Sequence, residues 1–228
     1  MNNGIVTNWS ESPPHPPFVT IGISLICILA LVMYSGLSPV MQQAMIDIGG
    51  MRPSALYALL NQGPADEWTP AVLSLVTSLF IHASWLHLLG NLAYLWVFGI
   101  KVEQKLGSLG ITLVFLLGGA LANVIVALRL PQLDTPIIGA SGAVSAVVGA
   151  YLGLFPRRRI GLFLPLGLYL QFARVPALLV IGSWFTLQLL YTVFGPINGA
   201  VAWWTHVAGF ALGLSFSLVA RALAQIRL

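Results

Sequence analysis

Long apolar runs separated by short polar stretches dominate this chain. Six can be marked: Phe18–Leu37, Trp85–Ile100, Leu109–Leu128, Ser141–Phe155, Pro176–Phe194 and Ala200–Ala220. A helix needs roughly 20 apolar residues to cross a bilayer, so the pattern predicts an all-α polytopic membrane protein with six transmembrane helices. Two segments depart from a plain bundle. The loop from about Ser38 to Ser84 carries Asp47, Arg52, Asp66, Glu67 and Trp68, yet includes Ala71–Ile81, an apolar run too short to cross; this first loop is expected to be partly membrane-embedded. The fourth segment has about 15 residues, roughly 22 Å of helix against about 30 Å of hydrocarbon. It should be a short central helix whose first residue, Ser141, lies below the outer surface. Irregular backbone at that depth, here Leu130–Ala140, is tolerated only inside protein or around a water-filled cavity, so Ser141 is expected to face a wet pocket.

Composition supports the membrane reading: 58% of the 228 residues are apolar and only 7% charged, with mean hydropathy +0.91, where soluble domains are about a quarter charged. No linker or charge run divides the chain, so residues 18–222 are read as one six-span domain, with a flexible cytoplasmic tail at 1–17 and another at 223–228. The single cysteine, Cys27, excludes an intrachain disulfide and a cysteine-rich metal site. Ten Lys and Arg give a basic chain, but they form no patch and no nucleic-acid motif surrounds them. They report topology instead. With both termini cytoplasmic, the inside loops and tail hold Lys101, Lys105, Arg157, Arg158, Arg159, Arg174, Arg221 and Arg227, against Arg52 and Arg129 outside. Met1–Pro17 has no Lys or Arg and no small-residue cleavage site follows it, so the first span should stay as an anchor.

Small residues show where helices meet. Gly139, Gly142, Ala146, Gly149 and Gly153 recur at spacings of three and four, giving a face that admits another backbone. On the last span His206, Gly209 and Gly213 share one face, flanked by Ala208 and Ala211. Packing the two faces together brings Ser141 to His206. Ordinary membrane packing explains the glycines, and helix capping explains Ser141, but neither explains His206. Ionisable groups within spans are rare and face the bundle interior for a reason; a core histidine bonded to a carbonyl, a proton relay and a metal ligand are the other readings of it. Glu11, Asp47, Asp66, Glu67, Glu103 and Asp134 all lie in loops or at span edges. A proton pump, a paired-aspartate protease and an HExxH zinc protease therefore lack their residues. A Ser–His dyad needs no third carboxylate when packing fixes the ring.

His87 and Asn91 lie on one face of the second span. Their side-chain N–H groups, with the backbone N–H of Ser141, suit the negative oxygen of a tetrahedral intermediate. Helix-to-helix hydrogen bonding is the plainer reading of the pair. His82, just before this helix, is read as a loop-fixing donor.

Taken together, His87-Leu-Leu-Gly-Asn91, Val102-Glu-Gln-Lys-Leu-Gly107, Gly139-Ala-Ser-Gly142 with Gly149-Ala-Tyr151, and Ala202-Trp-Trp-Thr-His206-Val-Ala-Gly-Phe-Ala-Leu-Gly213 resemble the rhomboid intramembrane serine proteases of the bacterial six-span type. The resemblance implies Ser141 as nucleophile, His206 as general base and acid, and His87, Asn91 and the Ser141 N–H as oxyanion donors. It implies that Glu103 orders the cytoplasmic loop after the second span, and that Ser38–Ser84, the fifth span and Gly195–Gly199 flank the route of the substrate. The implied activity is cleavage of transmembrane segments of single-pass or polytopic membrane proteins, in the lipid bilayer of a bacterial inner membrane, without metal, organic cofactor or nucleic acid. One position departs from the pattern. Family members often carry an aromatic residue four positions after the nucleophile, stacked on the imidazole; here it is Ser145, so the His206 ring must be held by the Ser145 hydroxyl or by an aromatic such as Trp203. Two other classes stand beside this reading. An inactive relative that binds or escorts membrane proteins would not be expected to keep nucleophile, base and oxyanion donors together. A small transporter would need inverted repeats and an intramembrane carboxylate.

Overall fold

Backbone surrounded by apolar side chains must satisfy its own hydrogen bonds. The computed structural model, which describes residues 16–62, 68–166, 169–194 and 200–226, is accordingly mostly helical. The helices are α1 (Phe18–Ser35), α2 (Pro39–Gly49), α3 (Pro53–Gln62), α4 (Trp68–Thr77), α5 (Trp85–Tyr94), a π-helical segment (Leu95–Gly99), α6 (Ile100–Arg129), α7 (Ser141–Leu154), α8 (Ala177–Phe194) and α9 (Ala200–Ile226). Each of the six apolar segments forms a helix. Among the described residues, three stretches are long and apolar enough to cross a membrane, Phe18–Ser35, Trp85–Arg129 and Trp203–Leu223. Helix α7 and the stretch Ala177–Leu190 of α8 are also apolar but shorter. Of the regions singled out in the sequence, Gly195–Gly199, Asp66, Glu67, most of the N-terminal tail and the last two residues lie outside the described residues.

The 45-residue stretch Trp85–Arg129 would reach about 68 Å as one rod, more than twice the hydrocarbon thickness. It folds back at Gly107, whose φ of 74° and ψ of 174° are non-helical. Ile111 returns to pack beside Gly99. The apolar pattern ends the second segment at Ile100, but the helix continues to Leu106 because Val102 and Glu103 are buried. Glu103 accepts hydrogen bonds from Val19 N, Thr20 N and Thr20 Oγ1 at 2.8, 2.9 and 2.7 Å and from Ser108 Oγ at 3.4 Å. One carboxylate thus satisfies the first N–H groups of α1 and ties them to the Gly107 reversal.

Helix α7 spans 14 residues, and every residue from Gly142 to Gly153 is buried. It is the centre of the molecule: Val144, Val147 and Ala150 share one apolar core with Cys27 of α1, Leu88 of α5, Phe115 of α6, Ile181 of α8 and Phe210 of α9. Close approach comes from missing side chains. A Cβ at Gly209 would run into the Gly142 carbonyl oxygen, one at Gly213 into that of Ala146, and one at Gly149 into that of Phe210. Across the other side, Gly118 and Gly119 of α6 meet the methyl groups of Ala146 and Ala143.

The first loop is built of α2, α3 and α4. Within α4, Val72, Leu73 and Val76 are exposed. The sequence pattern assigned no strand, and here the structure differs: Arg159–Leu166 and Tyr169–Pro176 pair as an antiparallel hairpin, with Arg159 opposite Pro176 and Leu166 opposite Tyr169. Gly161, Pro165 and Gly167 break any helical period in this stretch, leaving strand pairing as its way to satisfy backbone groups.

Candidate active site

Ser141 opens α7 after an irregular loop whose polar groups are all the more in need of partners for lying beside apolar helices. The first loop supplies them. Met51 and Ile137 exchange both backbone hydrogen bonds, at 3.0 and 2.8 Å, Ser54 N donates to Leu133 O, and Gly139 N donates to Ser78 O. Arg52 donates to Asp134 O and pairs with Asp47, while Ser54 Oγ donates to Asp134 Oδ1 at 2.7 Å. Asn123 of α6 holds the underside, donating to Leu75 O and Ser78 Oγ.

At the end of this loop Gly139 has φ 118°, a conformation that side chains disfavour. A Cβ there would stand 2.6 Å from His87 Cε1. Glycine is required twice over, by the turn and by the imidazole lying against it. His82 is fully buried and faces Phe80 O through Nδ1 at 3.2 Å and Asn91 Nδ2 through Nε2 at 3.0 Å. A carbonyl accepts and an amide nitrogen donates, so the proton sits on Nδ1 and Nε2 is an acceptor. The same Nε2 receives Ala140 N–H at 3.4 Å. His82 thus ties the Asn91 amide to the backbone immediately before Ser141, and the second Asn91 N–H stays available. Ser84 caps α5 by accepting from His87 N at 3.2 Å.

These groups converge on a cavity of about 830 Å³ lined by Ser141, His206, His87, Asn91, Ser145 and Trp184, among others, within the usual size of ligand sites. Gly142, next to Ser141, touches Thr205, next to His206. The two faces predicted from glycine spacing therefore do meet, with the hydroxyl and the imidazole on one cavity. Among the described residues, Ser141 Oγ and His206 form no direct hydrogen bond in this resting arrangement; such bonds are often long in free enzymes. The N–H of Ser141, at the first position of α7, has no intrahelical acceptor.

Of the two sequence expectations for the His206 ring, the structure meets the aromatic one and not the Ser145 one, and it adds a polar contact. Ser145 Oγ donates back to Ser141 O at 2.7 Å and so bonds within its own helix. Trp203 flanks the ring edge-on at 6.0 Å between centroids, and Trp184 lies on another side at 6.3 Å. The polar contact comes from α8: Gln188 Oε1 lies 2.9 Å from His206 Nδ1. Sequence reasoning missed Gln188. Its signal was there, a lone amide in the apolar run Pro176–Phe194. Gly149, Gly209 and Gly213 serve packing, as described above, and Glu103 lies at the Gly107 turn, away from the cavity lining. Among the described residues no cluster of three or more His, Cys, Asp or Glu is placed to hold a metal ion.

A family model described as Rhomboid domain matches residues 69–222. The chain is similar to the Rhomboid protease GlpG of Klebsiella pneumoniae, 34% identical over 143 residues that cover 61% of this chain and 45% of that protein. It is similar to Rhomboid-related protein 2 of Mus musculus, 27% over 211 residues, 88% of this chain and 63% of the other. A shorter match is to Rhomboid-like protein 11, chloroplastic, of Arabidopsis thaliana, 44% over 75 residues, 33% and 26% of the two chains. The matched stretches thus span between 26% and 63% of these relatives' lengths.

Proposed function

The chain belongs to the rhomboid family, and on that premise we propose that it is an intramembrane serine endopeptidase that cuts transmembrane segments of membrane proteins. The observation that carries the proposal is the shared cavity of Ser141, His206, His87 and Asn91, held together by backbone contact between α7 and α9. In this reading residues 18–222 form a six-span domain with both termini cytoplasmic, α5 to Leu106 and the rest of α6 being separate spans, in a bacterial inner membrane.

The chemistry follows from the groups present. Ser141 Oγ attacks the scissile carbonyl carbon while His206 Nε2 takes its proton, and the same proton then passes to the leaving amine. Water, deprotonated by His206, then attacks the acyl carbon, and the proton passes from His206 to Ser141 Oγ as the ester bond breaks. The tetrahedral oxyanion is met by the Ser141 N–H, the His87 ring N–H and the Asn91 N–H not used by His82; donors fixed beforehand stabilise it most. A substrate helix must unwind locally to present a carbonyl, since its own hydrogen bonds shield the peptide.

The absence of a direct Ser141–His206 hydrogen bond is what an inactive, escorting relative would also display. Reconstituted protein separates the two readings. A transmembrane-peptide substrate should be cleaved by the wild type and not by Ser141→Ala, whose thermal stability should be nearly unchanged because losing one hydroxyl at a cavity wall creates little void. Cleavage by Ser141→Ala would remove the assigned nucleophile, and a folded wild type that never cleaves would favour the escort.

A further inference from the structure

A dyad without a carboxylate leaves one question of acid–base chemistry open. A neutral imidazole has two tautomers, and only the one with its proton on the nitrogen remote from the serine can act as base. What fixes that choice has to be a group touching the ring. The aromatic partner common in the family is replaced by Ser145, whose hydroxyl is directed to Ser141 O. The two tryptophans flank the ring but bring no acceptor, since an indole N–H only donates.

We propose that Gln188 is the residue that positions His206: its amide oxygen accepts the Nδ1–H, so that Nε2 is left unprotonated and turned to the cavity that holds Ser141. The proposal rests on the serine-protease reading above and deepens it. The distance of 2.9 Å is ordinary for such a bond. Gln188 is only 7% exposed, so little water competes for its oxygen. Its neighbours on α8 behave otherwise: Ser183 Oγ and Thr186 Oγ1 donate to Val180 O and Gly182 O within the helix. Among the described residues of α8, Gln188 is thus the side chain that hydrogen-bonds to His206, where Trp184 and Phe185 bring only ring contacts to α9.

The arrangement has a consequence for access. Helix α8 turns an apolar side outward, with Leu179, Leu187, Val193 and Phe194 all more than half exposed. If substrate passes beside α8, displacement of this helix breaks the Gln188–His206 bond, and the base is set again only as α8 returns. Among the described residues, the other titratable side chains lining the cavity are His87 and Tyr94, and no carboxylate, lysine or arginine lines it, so a carboxylate introduced at position 188 brings the first acid to this surround.

Two variants and two readouts test this in the reconstituted full chain. Gln188→Leu keeps the volume and removes the acceptor; kcat should fall about tenfold, the worth of one such hydrogen bond, with KM changed less than about twofold. Gln188→Glu restores an acceptor and should recover most of kcat. Its carboxylate favours the charged imidazole, so the acid limb of the kcat–pH profile should move to higher pH. Wild-type kcat and pH profile in Gln188→Leu, or equal loss in both variants, would overturn the proposal. Nitrogen-15 NMR of histidine-labelled protein, with His206 identified by its loss in His206→Ala, reads the tautomer without any turnover. It should show the Nδ1–H form in the wild type and a mixture in Gln188→Leu. An Nε2–H form in the wild type would overturn the proposal even if the enzyme cleaves. A correct tautomer in a protein that does not cleave would instead count against the protease reading alone.

Discussion

Helices α9 and α8 both lean on the central α7 and both bring a residue to the cavity, but they do so by different physics. On α9 the contact is backbone to backbone: Gly209 and Gly213 press against the carbonyls of Gly142 and Ala146, and no rotamer change can relieve an intrusion there. Helix α8 instead meets α9, and it does so side chain to side chain, through Trp184, Phe185 and Gln188, with Phe185 stacked on Phe210 at 4.3 Å. Gly182 of α8 has nothing within 4 Å of where a Cβ would stand. Nucleophile and base are thus locked together on the welded side. The group that sets the base's tautomer comes from the side that can yield.

The sharpest way to break this contrast is to make one substitution in both helices. Gly209→Leu should abolish folded yield and cleavage together, because overpacking against backbone costs several times the about 1–3 kcal/mol of an ordinary core intrusion. Gly182→Leu should change the melting temperature little and can raise it slightly by restricting the unfolded chain. Equal tolerance at both positions, read by thermal unfolding in detergent, would dissolve the distinction. Next in size, Asn91→Ala should lower kcat by about 10²–10³, the usual loss for one oxyanion donor, and leave KM nearly unchanged; a pure KM effect would mean that Asn91 only binds or packs. Gly139→Ala sharpens the welded side at its loop: strain at φ 118° is worth about 1–3 kcal/mol, and the added methyl displaces His87, so stability and kcat should fall together. Smallest, Leu187→Ala on the outward side of α8 should stay within about 0.5 kcal/mol of wild type in denaturation.

The parts of this architecture that were legible in the sequence are those that repeat or that are chemically rare. Apolar runs predicted the helices of the six apolar segments but not α2 and α3 of the first loop, the glycine spacing on α7 and α9 predicted which faces meet, and a histidine in an apolar span pointed at the cavity. The reversal at Gly107 was half legible. Lys101–Leu106 reads as a polar loop by composition, yet Lys, Glu, Gln and Leu are good helix formers and the burial of Glu103 on α1 keeps the stretch helical. The hairpin Arg159–Pro176 was not legible, since its mixture of leucine, phenylalanine, proline and glycine has no clear period. Gln188 illustrates a deeper limit. A hydrogen bond between residues 188 and 206 depends on how two helices are rotated about their axes, and no spacing rule within either helix contains that information. The departure at Ser145 showed that something else had to hold the ring; only the packing shows from which helix it comes.

The central claim, that Ser141 is made nucleophilic by His206 within one cavity, is tested most directly by a fluorophosphonate probe on the detergent-purified protein, with the labelled peptide identified by mass spectrometry. The account predicts a single adduct on Ser141 that vanishes in His206→Ala while that variant remains folded. An adduct on Ser145 instead, or labelling of Ser141 that is indifferent to the loss of His206, would contradict it.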